Sequence, residues 1–258
     1  MTEVEADQPT PAPDRPPAGP ARRMDEPAFR DHRRALLWAG LVFTATAFVF
    51  LGVGRHPLGA PPTRTALPFI GRIDLHTFNA MEEVRNVVFT AVARVLNVIG
   101  GGIVTIPLRS IVALWLIYRR RWRALATWVL TWVAAETTLS IAKSYFHRGR
   151  PPNPLVATSG YSFPSGHAVA AAATAVALVL VLMPAGPRRR KWEGVAVAFT
   201  FVMAFSRVYL NAHWLSDVVG GVLLGTGIAI VSAGLVSEVR HRIDRGKAPP
   251  VAAADQST

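Results

Sequence analysis

Tyr161 to Met183 reads YSFPSGHAVAAAATAVALVLVLM, a short polar motif that runs straight into an apolar block. From Gly166 onward the block carries no residue that is charged at neutral pH apart from the option of His167. As a helix it would be about 27 Å long, close to the thickness of a bilayer's hydrocarbon core. The motif in front of it needs a second explanation. Proline, serine and glycine suit a helix start, the serine by capping free amides and the glycine by relaxing the chain. That local account leaves the histidine unexplained.

Composition extends the membrane reading outward from this block. Of 258 residues, 51% are hydrophobic and only 17% charged, against about 25% charged in an ordinary soluble domain. The chain has no cysteine, which excludes disulfides, thiolate metal sites and a cysteine nucleophile together. Further apolar windows fall at 35–54, 101–118, 124–144, 192–209 and 213–236, and with 166–183 they predict six spans in an all-α, polytopic helix bundle. Residues 75–99 have helical period but carry Glu82, Glu83, Arg85 and Arg94. Their apolar positions share one face, so this stretch is expected as an additional interfacial helix on the membrane surface or packed obliquely on the bundle. Residues 1–34 and 239–258 are polar, rich in proline, alanine and arginine, and are expected as disordered cytoplasmic tails around a domain at 35–238. The stretch after residue 34 is too long, and lacks the small-residue cleavage site, for a signal peptide.

The cations mark orientation. Arg22, Arg23, Arg30, Arg33 and Arg34 precede the first expected span, Arg119 to Arg123 join the second and third, and Arg188 to Lys191 join the fourth and fifth. Arg240, Arg242, Arg245 and Lys247 follow the sixth. With six spans all four clusters lie on one side, the cytoplasmic side by the positive-inside rule, and both termini lie there too. These clusters account for most of the formal net charge of +12 without a nucleic-acid partner; the aromatics lie within or at the ends of apolar spans and offer no stacking platform for bases. Arg109 and Glu136 stand inside the second and third spans and are expected to face the bundle interior as a pair.

The remaining connections are then extracytoplasmic, and they hold Lys143, Arg148, Arg150 and Arg207 against the topological preference. Cations kept there suggest an anion. Lys143, Arg150 and Arg207 supply one ammonium and two planar guanidinium forks suited to the oxygens of a phosphoryl group. Arg148 reads equally as a fourth or as a side chain reaching for the interface. The amides of Ser165, Gly166 and His167 lie at a helix start, a natural anion cradle. His213 and Asp217 are four residues apart, so on a helix the carboxylate orients one ring nitrogen and leaves the other free to attack phosphorus. His167 is then available to protonate the leaving oxygen and later to activate water.

Three segments carry a resemblance. Lys143, six residues and Arg150–Pro151; PSGH at Pro164 to His167; and Ser206–Arg207, five residues, His213, three residues and Asp217 together are similar to the signature of the type 2 phosphatidic acid phosphatase superfamily. No defining position departs from it. The resemblance implies His213 as nucleophile, Asp217 as its partner, His167 as acid and base, and Lys143, Arg150, Ser165, Gly166 and Arg207 as phosphate ligands, with no metal and no cofactor. It also implies a six-span plasma-membrane enzyme with the site on the extracytoplasmic side, acting on a lipid phosphate: polyprenyl diphosphate, phosphatidic acid or phosphatidylglycerol phosphate. A vanadate-dependent haloperoxidase would use the same residues but not six spans. A binding or transport protein would suit the glycines of GGVLLGTG, Gly220 to Gly227, yet explains neither the His213–Asp217 spacing nor PSGH.

Overall fold

The computed structural model describes residues 32–56 and 60–246. Among the described residues it contains eight helices and no strand: α1 His32–Val53, α2 Pro68–Glu83, α3 Val87–Ile99, α4 Gly102–Tyr118, α5 Trp122–Phe146, α6 Gly166–Leu182, α7 Pro187–Tyr209 and α8 Leu215–Gly246. The all-α expectation holds. The tails assigned to 1–34 and 239–258 lie outside the described residues except at their inner ends, where α1 begins at His32 and α8 continues through 239–246 as helix.

The single interfacial helix expected at 75–99 is instead two helices. Asn86 ends the continuity: its backbone is extended, and its side-chain oxygen accepts the Phe89 N–H at 2.9 Å, capping α3. Tyr209 of α7 fixes the same junction, accepting the Asn86 N–H at 3.0 Å and meeting its carbonyl oxygen at 3.1 Å. Glu82 and Arg85 pair beside the break at 3.5 Å. From there α3 continues into α4 through Gly100–Gly101 with a 45° bend, and the two together are apolar enough for one broken span.

The helices Trp122–Phe146 and Leu215–Ile243 are each long and apolar enough to cross a membrane; with the bent pair, up to three spans are recognised among the described residues. Leu37–Val53 and Gly166–Leu182 are apolar but short, and α7 is diluted by Arg188 to Lys191, Glu193 and Arg207. Around the bundle, Phe43, Val88, Ile103, Ile111 and Phe201 are exposed, an apolar circumference suited to a lipid solvent.

The core is built on α6. Its small side chains Ala168, Ala172 and Ala173 are buried, and α8 closes on them through two glycines. A Cβ added at Gly221 would stand 2.7 Å from the Ser165 carbonyl oxygen, and one at Gly225 would stand 2.5 Å from that of Val169. Backbone contact this close needs glycine, the packing device of membrane helices. It also carries Asp217, one turn before Gly221, up against the first residues of α6: the Ser165 N–H donates to the Asp217 carbonyl oxygen at 3.0 Å.

Arg109 and Glu136 are paired, Nη1 to Oε1 at 2.8 Å, with Arg109 Nε donating to Thr174 Oγ1 at 3.2 Å and the guanidinium over the Trp132 ring. Only the arginine is interior: its side chain is 4% exposed against 53% for Glu136. Removing the carboxylate strands a buried cation, so Glu136→Leu should cost about 3 kcal/mol, whereas Arg109→Leu, Glu136→Leu should cost less than the sum of the single changes. Thermal unfolding of the four proteins in detergent checks this; fully additive losses would contradict the pair.

Candidate active site

The site forms where α5, α6, α7 and α8 meet at one end of the bundle. α5 ends at His147, whose left-handed backbone (φ 52) turns the chain so that Arg148 and Arg150 leave in different directions. Arg148 goes inward and is fully buried. Arg150 caps the segment 159–161 from outside, donating to the carbonyl oxygens of Ser159 at 2.7 Å, Gly160 at 3.0 Å and Tyr161 at 3.3 Å, and to that of Ala212 at 2.7 Å. Lys143 Nζ donates to the same Tyr161 oxygen. Both cations therefore rest on backbone carbonyls, partners that an incoming anion can replace.

His213 lies in the turn just ahead of α8, which begins at Leu215 rather than at the expected 213. Its Nδ1 is 3.5 Å from Asp217 Oδ2 and 3.4 Å from Ser162 Oγ, while its Nε2 is 3.2 Å from Arg150 Nη1. A guanidinium has only donors, so Nε2 is the acceptor and the imidazole proton sits on Nδ1, toward the carboxylate. Nε2 thus presents a lone pair on the side lined by cations. Asp217 is itself held from all sides. Oδ1 accepts Arg148 Nη1 at 2.7 Å, and Oδ2 accepts the Trp214 N–H at 2.9 Å and the Ser162 hydroxyl.

The opposite wall carries His167 and Arg207, both anchored on Asn97 of α3. His167 Nε2 donates to the Asn97 carbonyl oxygen at 3.0 Å and Arg207 Nη1 donates to its side-chain oxygen. In the neutral ring this leaves the lone pair on His167 Nδ1. Ser165 makes no cap bond to α6. Its amide, expected in the anion cradle, is instead committed to the Asp217 carbonyl, so the free amides at this helix start are those of Gly166 and His167. Ser165 Oγ and Arg207 Nε are buried without a hydrogen-bond partner, unusual for polar atoms in a native interior.

All eight residues singled out by sequence thus gather at this end of the bundle, and Arg148 belongs to neither role weighed for it: it reaches no surface and clasps Asp217. Sequence reasoning missed Asp74, Asn97, Ser162 and Ser216. Ser162 stood inside the quoted motif; the other three carry no local signal, because each acts on a residue far away along the chain. Beside the site, Gly100 touches both His167 and Met203, where a Cβ would come within 2.8 Å of each. From this neck an apolar cavity of about 490 Å³ runs between α4, α6 and α7 past Leu108 and Leu178 to Trp192.

Residues 124–240 match the model of the PAP2 superfamily. This segment holds all three motifs. Phosphatidylglycerophosphatase B of Bacillus subtilis is 29% identical over 129 residues, 48% of this chain and 63% of that protein. Undecaprenyl-diphosphatase of Sulfolobus acidocaldarius is 31% identical over 135 residues, 49% of this chain and 62% of that protein. The chain therefore spans less than two thirds of either relative. Among solved structures, the transmembrane PAP2 type phosphatidylglycerolphosphate phosphatase from Bacillus subtilis superposes with a TM-score of 0.61 at 24% identity, over 82% of this chain and 98% of that one. Aquifex aeolicus LpxE superposes with a TM-score of 0.52 at 22% identity, over 61% and 93%. The first of these likenesses in fold extends beyond residues 124–240.

Burial, helped by the Arg150 and Arg207 charges, outweighs the pull of Asp217 and lowers the His213 pKa to about 4, where a free imidazole has about 6.5. At pH 6 His213 should be neutral while a free histidine is mostly protonated. Histidine C2 hydrogen–deuterium exchange, read by mass spectrometry on the full chain in detergent, should give a midpoint near 4; a midpoint near 6.5 would contradict the burial of this ring.

Proposed function

We propose that the chain is an integral membrane hydrolase of lipid phosphates, cleaving a phosphomonoester or diphosphate through a phosphohistidine on His213. The observation that carries this reading is the lone pair of His213 Nε2 facing Arg150 at 3.2 Å, with Nδ1 directed to Asp217. An imidazole so arranged is a neutral nucleophile beside a built-in anion clamp. Lys143, Arg150 and Arg207 take the phosphoryl oxygens, and the orphan donors Ser165 Oγ and Arg207 Nε, with the amides of Gly166 and His167, supply the remaining partners.

In the first step Nε2 of His213 forms a bond to phosphorus as the bond to the leaving oxygen breaks, and His167, entering the cycle as an imidazolium beside the substrate's phosphate, gives its Nδ1 proton to the departing alcohol or phosphate. The phospho-imidazolium carries positive charge, which Asp217 balances through Nδ1–H. In the second step His167 takes a proton from water, the hydroxide attacks phosphorus, and the phosphorus–nitrogen bond breaks to release inorganic phosphate and restore neutral His213. Charge building on the phosphoryl oxygens is met by three cationic side chains, the task that magnesium performs in other phosphoryl transfers, so the reading includes no metal and no other cofactor.

The apolar cavity leading away from His167 and Gly100 suits a lipid tail, with the phosphate at the polar end. Polyprenyl diphosphate, phosphatidic acid and phosphatidylglycerol phosphate share that form. The names of the curated relatives point to the first and last of these. The reading also keeps six spans across the plasma membrane, the site on the extracytoplasmic face and both termini in the cytoplasm, as the placement of the basic clusters suggests.

The test is phosphate release by the purified protein in detergent from these three lipids, with EDTA present. Release should persist with the chelator and fall by about 10³ or more in His213→Ala. A folded wild-type protein that releases nothing, or a variant that matches it, would overturn the reading in favour of a binding or transport protein.

A further inference from the structure

Asp74 lies in the middle of α2, outside the 124–240 segment and outside every motif, yet it is fully buried. Its Oδ2 pairs with Arg148 Nη2 at 2.6 Å and accepts the Ser216 hydroxyl at 2.7 Å, and its Oδ1 accepts the Ser216 N–H at 2.8 Å. Arg148 in turn gives Nη1 to Asp217 Oδ1 at 2.7 Å and to Ser216 Oγ at 2.6 Å, gives Nε to the Pro62 carbonyl oxygen at 3.0 Å, and lies over the Trp214 ring. One guanidinium is thus shared by two carboxylates in a space from which water is excluded. Placed on Asp217 alone, Arg148 would cancel the charge that Asp217 needs in order to hold the Nδ1–H of His213. Shared with Asp74, the same cation fixes the carboxylate's geometry while the cluster keeps one net negative charge.

We propose that Asp74 is a positioning residue for the reaction: through Arg148 it holds Asp217, and through Asp217 it sets the orientation and charge state of His213. This rests on the reading of His213 as nucleophile. A clasp that merely tied α2 to α8 would have no need to place its cation on the nucleophile's partner.

The charged groups facing His213 are Asp217 from α8, Arg150 from the segment after α5 and Arg207 from α7; Arg148, Arg150, His56 and Lys143 face Asp217. Removing the Asp74 charge lets Arg148 bear undivided on Asp217, which makes the protonated ring of His213 harder to form. Its midpoint therefore falls. Removing Arg148 as well frees Asp217 from its cation, and the midpoint rises.

The experiment compares wild type, Asp74→Asn, Asp74→Glu and Asp74→Asn with Arg148→Gln, as full chains in detergent, by steady-state hydrolysis of the three lipids and by histidine C2 exchange at His213. In Asp74→Asn kcat should drop about tenfold to a hundredfold with KM within about twofold, and the His213 midpoint should move down by roughly half a unit. Asp74→Glu keeps the charge and should restore the midpoint and part of kcat. The double change removes one carboxylate with the cation between the two and leaves Asp217 held by the Trp214 N–H and the Ser162 hydroxyl; it should move the midpoint upward, opposite in sign to Asp74→Asn, and Asp74→Glu tests the charge where either variant does not fold. An unmoved His213 midpoint in the folded variants, or a loss confined to KM, would overturn the proposal. If the wild type hydrolyses nothing while the midpoints move with these signs, the relay stands and the hydrolase reading falls. If hydrolysis proceeds normally with the midpoints unmoved, the reverse holds.

Discussion

The carboxylate of Asp217 is the constraint on which the rest of the site depends. It is fully buried, and it is kept ionised there by Arg148 and by hydrogen bonds from the Trp214 amide and the Ser162 hydroxyl. An unpaired buried carboxylate would protonate or expel its helix toward water. Because this one is paired, it can direct a neutral imidazole from the turn before α8. The close approach of α8 to α6 through Gly221 and Gly225 serves the same end, since it brings Asp217 to the start of α6 where His167 begins the opposite wall.

The two walls are supported by different parts of the chain. His213, Asp217, Lys143 and Arg150 all lie within the matched segment, residues 124–240. His167 and Arg207 are steadied by Asn97, and Arg148 by Asp74, from helices that precede that segment. The N-terminal helices therefore reach the site as much as they pack beside it, in keeping with the extent of the structural likeness to the Bacillus subtilis protein. The apolar cavity lies on the His167 side, which places an apolar path beside the group proposed to protonate the leaving oxygen.

Much of this was legible in the sequence because the relevant signals are local or have fixed spacing. The run after Gly166, the four-residue step from His213 to Asp217 and the cations in the non-basic connections each announce themselves. What escaped acts across distance. Asp74 stands just before the 75–99 stretch with no signal of its own until Arg148 is seen beside it, and Asn97 stands ahead of three glycines, Gly100 to Gly102, with nothing local to show that Arg207 and His167 converge on it. Arg148, weighed evenly as a fourth phosphate ligand or an interfacial side chain, is neither, and burial separates it from the cations around it. Residues 75–99 kept helical period throughout, so periodicity joined what the Asn86 cap and Tyr209 divide. Apolar length also underdetermines the spans: α6 is short, α7 carries charge, and α3 and α4 reach span length only together.

The most direct measurement is the site of phosphate attachment after brief acid-free quenching of the enzyme with a radiolabelled lipid phosphate. An acid-labile, alkali-stable phosphoryl group is expected on the peptide containing His213, absent in His213→Ala and longer-lived in His167→Ala, where water is no longer activated. Label on His167 instead, or turnover with no labelled peptide in either protein, would contradict the assignment of His213 as the nucleophile that Asp217 is built to hold.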